Sequence, residues 1–228
     1  MLKSKALRKK AWDSLKGKYW LAFIVVLVMS ALSSIGTSMV TCSQNIINVV
    51  NMVEPAEMDS IMQIGAIVLY VAALVICIIG FLICVFVGNA VTVGICKYFI
   101  KNTDSKPSFA DAFYGFKTRY RRNIGTLLLV GIKVALWSLL LIIPGIIKTF
   151  EYAMVPYILA DDAEISSKDA FKKSKQMMKG NKWRFFKLDF SFIGWVLLCI
   201  PTLGIGAFFL IPYTNAANAE FYVELKNN

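Results

Sequence analysis

This sequence predicts an all-α, polytopic membrane fold: six transmembrane helices in three hairpins, each hairpin preceded by a basic amphipathic helix lying in the membrane plane. Three observations carry that prediction. Tyr19–Val53, Ser60–Cys96 and Phe190–Ala219 contain no charged residue, and Asn123–Ile147 contains one, Lys133. Basic residues gather between these runs: seven in residues 1–18, seven in 97–123 and eight in 160–187, against one, two and four acids. Of the 228 residues 57% are hydrophobic and only 17% charged, with a mean hydropathy of +0.62, whereas a soluble domain carries about 25% charged residues.

A spanning helix needs roughly 20 apolar residues, because lipid offers no partner for unpaired backbone groups. Residues 1–18 form an interfacial helix, with Leu7, Ala11, Trp12 and Leu15 set against Lys5, Arg8, Lys9, Lys10 and Lys16; this is the pattern of a helix resting among headgroups. The run after it is too long for the ~7–15-residue core of a secretory signal, so 19–40 is helix one. Residues 41–60 carry Glu54, Glu57, Asp59 and no basic residue, which makes them an external loop by the positive-inside rule. Residues 61–97 return as helix two, closing the first hairpin (19–97). Pro144-Gly145 turns the second block into helix three (122–143) and helix four (146–160); Pro201-Thr202-Leu203-Gly204 turns the third into helix five (183–200) and helix six (205–223). Helix four reaches only about 22 Å of a ~30 Å core, so its turn sits below the outer surface or the bilayer thins there. Both termini face the cytoplasm.

The chain is one membrane domain, 1–228, whose last two blocks (98–160 and 161–228) read as parallel copies. Ser108, Asp111, Ala112 and Phe113 match Ser166, Asp169, Ala170 and Phe171; Asn123 matches Asn181, Trp137 matches Trp195, and Pro156-Tyr157 matches Pro212-Tyr213. Each copy opens with Ser-x-x-Asp, a capping-box-like helix start. More distantly, Leu15-Lys16-Gly17 before Trp20 echoes Met178-Lys179-Gly180 before Trp183.

Charges inside apolar spans are costly and usually face the bundle interior. Lys133 and Asp189 fall at nearly the same depth in equivalent helices, which predicts a pair between them. Lys148 and Glu151, three apart on one helix, pair locally. These four residues are the candidate intramembrane polar site, either ion pairs that brace the bundle or the lining of a polar cavity. Arg8, Lys9, Lys10, Lys16, Arg121, Arg122, Lys179 and Lys182 are the candidate contacts to anionic headgroups, where each basic residue contributes about 1 kcal/mol. Ser30, Ser34 and Ser38 recur every four residues and predict close helix packing. Asp161-Asp162 read as a solvated helix end.

The chain contains no histidine, the usual general base and the commonest metal ligand. Its five cysteines form no Cys-x-x-Cys pair, and it has no phosphate loop and no dinucleotide fingerprint. No cofactor, metal or catalytic residue is assigned. Every basic cluster abuts an apolar run, so the charge of +11 points to membrane lipid and not to nucleic acid.

The sequence resembles the bacterial integral membrane proteins of domain-of-unknown-function family number 975. The resemblance is carried by Ala11 with Leu15-Lys16-Gly17 and Tyr19-Trp20, Ile143-Pro144-Gly145-Ile146, Tyr157-Ile158-Leu159-Ala160-Asp161, Ser174 with Met178-Lys179-Gly180, Ser191-Phe192-Ile193-Gly194-Trp195, Pro212-Tyr213 and Phe221-Tyr222. It is also loosely similar to the membrane part of bacterial glycerophosphodiester phosphodiesterases, without their hydrolase domain. The resemblance implies a multi-pass protein of the bacterial plasma membrane and supplies no reaction. The function expected is non-enzymatic: binding of anionic lipid, a membrane protein partner or a second copy, in envelope maintenance or the response to membrane-active agents. The alternative is a small carrier or lipid-handling transporter with a polar site between the repeats.

Overall fold

A computed structural model describes residues 3–53, 59–199 and 205–227. Every regular element among the described residues is helical. The order is α1 (Ser4–Leu15), α2 (Tyr19–Val50), α3 (Ser60–Ile83), a π-helical turn (Cys84–Gly88), α4 (Asn89–Asp104), a 3₁₀ turn (Phe109–Phe113) and α5 (Tyr114–Lys117). Then come α6 (Tyr120–Leu140), α7 (Ile142–Tyr152), α8 (Val155–Asp161), α9 (Ser167–Met178), α10 (Lys182–Phe190), α11 (Ile193–Cys199) and α12 (Ile205–Lys226). The chain divides into two compact units, Ser30–Gly88 and the rest.

Among the described residues four helical stretches can cross a membrane by length and composition: Tyr19–Val50, Ser60–Asp104, Tyr120–Leu140 and Ile142–Asp161. Six spans are therefore met only in part. Helix two runs on through the π turn to Asp104, and helix one extends to Val50. Helix five is interrupted at Ser191-Phe192, leaving α10 and α11. The turn expected at 201–204 lies outside the described residues.

In the Ser30–Gly88 unit, α2 and α3 approach through glycine. A Cβ on Gly36 would lie 2.7 Å from the Gly80 carbonyl oxygen, and one on Gly80 2.9 Å from that of Gly36. The serine stripe is not the contact: Ser34 and Ser38 are exposed. A backbone–backbone approach needs the residue with no side chain, and Gly36 lies on a different face from the serines. The ends of this pair are polar, with Asp59 capping α3 by accepting from the Met62 N–H at 2.7 Å and the Tyr70 hydroxyl bonded to Asn51.

In the larger unit α4 is the central strut. Gly94 lets the Ala112 carbonyl oxygen reach within 1.8 Å of where a Cβ would stand, and Gly115 lets the Ala90 carbonyl oxygen come within 2.0 Å of where its own Cβ would stand. Around it lie the buried Tyr98, Phe99, Ile158, Leu159, Met178, Phe221 and Tyr222.

The break between α6 and α7 falls at Leu141, which is extended (φ −157°, ψ 138°), and not at Pro144-Gly145. Pro144 sits in the first turn of α7, where its missing N–H has no helical partner to lose. Gly145 serves packing: a Cβ there would stand 2.2 Å from the Ser138 Oγ and 2.7 Å from its Cα, so α7 lies directly against α6. The single helix expected over 146–160 is instead α7 and α8, with Pro156 in the first turn of α8.

The basic segments precede α2, α6 and α10. In two of them a full helix forms, α1 and α9. In the middle segment it shrinks to a 3₁₀ turn and one turn of α-helix, held by Asp111 accepting from the Ser108 N–H at 2.7 Å. Ser166 caps α9 through the Asp169 N–H at 3.1 Å.

Candidate functional site

Two places carry chemistry, a carboxylate cluster on α7 and an aromatic cavity beneath α1. Glu151 is 4% exposed and is met by lysines from three helices. Lys148, one turn back on α7, approaches at 3.1 Å; Lys182 from α10 at 3.1 Å; Lys175 from α9 at 3.8 Å. The Glu151 carbonyl accepts from the buried Ser174 hydroxyl at 2.8 Å, which fixes α9 to α7. Aromatic rings close over the cations: the Lys148 amine lies 5.4 Å from the Trp137 ring and 5.8 Å from Tyr152, within cation–π range.

The Lys148–Glu151 pair is as the spacing predicts. Lys133 and Asp189 are not brought together. The Lys133 amine sits 3.8 Å over the Phe171 ring and 5.9 Å from Tyr152. Asp189 stands on the exposed side of α10, whose inward residues are Phe185 and Leu188, and makes no ion pair among the described residues. Equal depth in two helices does not fix the faces they turn to each other, and Phe171 reaches Lys133 first.

The eight candidate headgroup contacts divide into two groups. Lys9, Arg121 and Lys179 are exposed. So are Lys10, 3.7 Å from Glu220, and Lys16, 2.6 Å from Asp13, whose carboxyl the Lys16 hydrogen bond holds below its usual range. The other three brace the fold. Arg8 donates to the Ser191 carbonyl at 3.2 Å. Arg122 donates to the carbonyls of Ala163 and Ile165 at 2.5 and 2.8 Å, clamping the loop before α9. Lys182 belongs to the Glu151 cluster. Asp161 is likewise a tie, accepting from Tyr222 at 2.8 Å and pairing with Lys226 at 2.7 Å across to α12.

Sequence reasoning missed the cavity. It holds about 470 Å³ and is lined chiefly by Trp12, Tyr19, Trp195, Phe209, Leu210 and Tyr213. Trp12 meets Tyr19 at 6.2 Å and Tyr213 edge-on at 6.0 Å between ring centroids. The Tyr19 hydroxyl donates to the Phe209 carbonyl at 2.6 Å and that of Tyr213 to the Arg8 carbonyl at 3.2 Å. The signal was Trp12 on α1, one aromatic among lysines. Lys5, Lys9, Trp12 and Lys16 recur at helical spacing along one exposed stripe of α1.

No curated protein and no solved structure matches this chain. One family model does, that described as a protein of unknown function (DUF975), over residues 127–228. That stretch, somewhat under half of the chain, is similar to the DUF975 family of proteins of unknown function, and it holds α7, α9 and the Glu151 cluster together with Trp195, Phe209, Leu210 and Tyr213 of the cavity.

Proposed function

We propose that this chain is a non-enzymatic, multi-pass protein of the bacterial plasma membrane, with cytoplasmic termini, that holds anionic lipid at α1. One observation carries the reading: Trp12 lines an aromatic cavity while Lys9 and Lys16, one turn either side of it, stand exposed on the same stripe. An acyl chain fits the apolar cavity and a phosphate headgroup fits the lysines, an arrangement suited to the boundary between hydrocarbon and headgroups. The setting is envelope maintenance or the response to membrane-active agents. The blocks 98–160 and 161–228 are taken as copies of one in-plane helix and hairpin.

The carrier reading would place a substrate at Glu151. That carboxylate is buried and already held by lysines, which favours a brace over a transport site.

Native mass spectrometry of the protein released from mild detergent tests the reading. Wild type retains anionic lipid. At about 1 kcal/mol per basic residue, Lys9→Ala with Lys16→Ala weakens retention about 25-fold, and Trp12→Ala loses it while leaving the melting temperature nearly unchanged. Retention unaltered in both variants overturns the lipid site.

A further inference from the structure

We propose that α6 and α7 form a re-entrant hairpin that enters the hydrocarbon of one leaflet and turns back near the bilayer midplane, so that the partner of this surface is a single leaflet. This goes beyond the lipid site, and its test has a separate readout.

Three observations fix the depth. The first is the tip. Leu139, Leu140, Leu141, Ile142 and Ile143 are 88, 70, 66, 75 and 71% exposed. Five consecutive bare aliphatic residues belong in hydrocarbon. A hairpin that crossed the bilayer would place them in water or among outer headgroups. The facing ends of α2 and α3 differ in kind: beside the exposed Val49, Met52 and Ile61 they carry Gln44, Asn45, Asn48, Asn51 and Asp59, polar groups that residues 139–143 lack.

The second is the position of α9 along the hairpin. It is bolted to the Glu151 level by Ser174 on the Glu151 carbonyl (2.8 Å), by Phe171 against Tyr152 (5.3 Å between centroids) and by Lys133 over Phe171 (3.8 Å). Its outer face carries Lys168, Asp169, Lys172 and Lys175, all exposed, and the Lys175 side chain is 69% exposed although it lies 3.8 Å from Glu151. Such a face cannot rest in hydrocarbon. The level of Glu151, Tyr152 and Lys133 is therefore the level of the headgroups.

The third is the length remaining. From Glu151 back to Ile142 is nine residues, about 14 Å, and from Lys133 to Leu140 seven residues, about 11 Å. A hydrocarbon core of ~30 Å has a half-thickness of ~15 Å, so the tip stops at the midplane.

Topology labelling in cells tests the proposal on the intact chain. Leu141→Cys and Arg121→Cys are each treated with a membrane-impermeant maleimide, before and after permeabilisation, and modification is read peptide by peptide by mass spectrometry, so the native cysteines stay in place. Cys at 121 is modified only after permeabilisation. Cys at 141 is modified in neither state and becomes reactive only in denaturant. Modification at 141 in intact cells means that the hairpin spans, and modification on permeabilisation alone means that the tip is not inserted; either overturns the proposal. A bimane on the same cysteine in nanodiscs gives the depth. Quenching strongest from acyl-chain-end nitroxides supports the proposal, and quenching strongest from headgroup nitroxides overturns it. Retained lipid, measured separately, moves only with the α1 site.

Discussion

Glu151→Gln isolates the charge of the cluster while keeping the shape of the side chain and one acceptor. In the native arrangement the Lys148 and Lys182 amines each lie 3.1 Å from an oxygen of the same carboxylate, so they stand roughly 6 Å apart. At an effective dielectric constant of about 20, two such cations repel by about 3 kcal/mol once the carboxylate is gone. Lys148 and Lys182 keep 20 and 33% of their side chains exposed and relieve part of this by turning to solvent, which leaves a loss of about 2 kcal/mol. Removing one member of a fully buried pair costs 3–5 kcal/mol, and this partly open cluster falls below that range. At about 2–4 °C per kcal/mol for a chain of this size, differential scanning fluorimetry in detergent should show a melting temperature lowered by about 4–8 °C. The sign of the coupling is the sharper test. Lys182→Ala alone destabilises, but added to Glu151→Gln it removes the repulsion and raises the melting temperature above that of Glu151→Gln. Additive losses in the double variant, or a Glu151→Gln protein that melts with wild type, would refute the cluster as an electrostatic brace.

Three other perturbations probe the surrounding frame. Gly145→Ala drives a methyl group against Ser138, 2.2 Å from its Oγ and 2.7 Å from its Cα; it should cost about 1–3 kcal/mol in the same thermal assay, and Ser138→Gly should not rescue it, because the Cα remains in the way. Arg122→Lys loses the two-carbonyl clamp on Ala163 and Ile165, a change of about 1–2 kcal/mol, and limited proteolysis should show earlier cleavage within 162–166. Gly180→Ala forces a φ of +78° on an L side chain for about 1–2 kcal/mol, and Gly180→Asn, which tolerates that region, should recover much of the loss by the same melting measurement.

How legible each feature was depends on the range of the physics behind it. Hydrophobic run length and charge segregation are local, and they correctly marked the starts of α2, α3 and α6, with basic segments before α2 and α6 and an acidic one before α3. Lys148 and Glu151 were paired correctly because i and i+3 share a face of any helix. The Lys133–Asp189 pair failed because depth in the bilayer is one coordinate and rotation about the helix axis is another, and sequence patterning in an apolar helix says little about the second. Pro144-Gly145 was read as a turn for its breaker chemistry. Both residues are used otherwise, Pro144 at a helix start and Gly145 at a contact, while the extended residue is Leu141, which carries no turn signal. The additional lysines on Glu151 come from α9 and α10, about 25 to 30 positions downstream, and no spacing rule reaches them. The aromatic cavity was invisible for the same reason, since its walls come from α1, the start of α2, α11 and α12.

Sharp elbows join the basic segments to the helices that follow them. Among the described residues φ is positive at Gly17, Arg119 and Gly180. Each occupies the same position, the second residue past a helix: Gly17 after α1, Arg119 after α5 and Gly180 after α9, in each case one to two residues before α2, α6 or α10 begins. A left-handed residue there satisfies the last carbonyls of one helix and redirects the chain within a single turn; the Lys18 N–H returns to the Leu15 carbonyl at 2.9 Å and the Asn181 N–H to that of Met178 at 3.1 Å. So abrupt a turn lets the next helix start in a new direction within two residues. Two of the three positions are glycine, which bears that φ without strain. The third is Arg119, whose guanidinium pairs with Glu164 and so gives the middle elbow a tie to the segment before α9. Gly17 was legible in the sequence through its echo at Gly180, whereas Arg119 was not, because a left-handed arginine is set by the fold around it and leaves no mark in the chain.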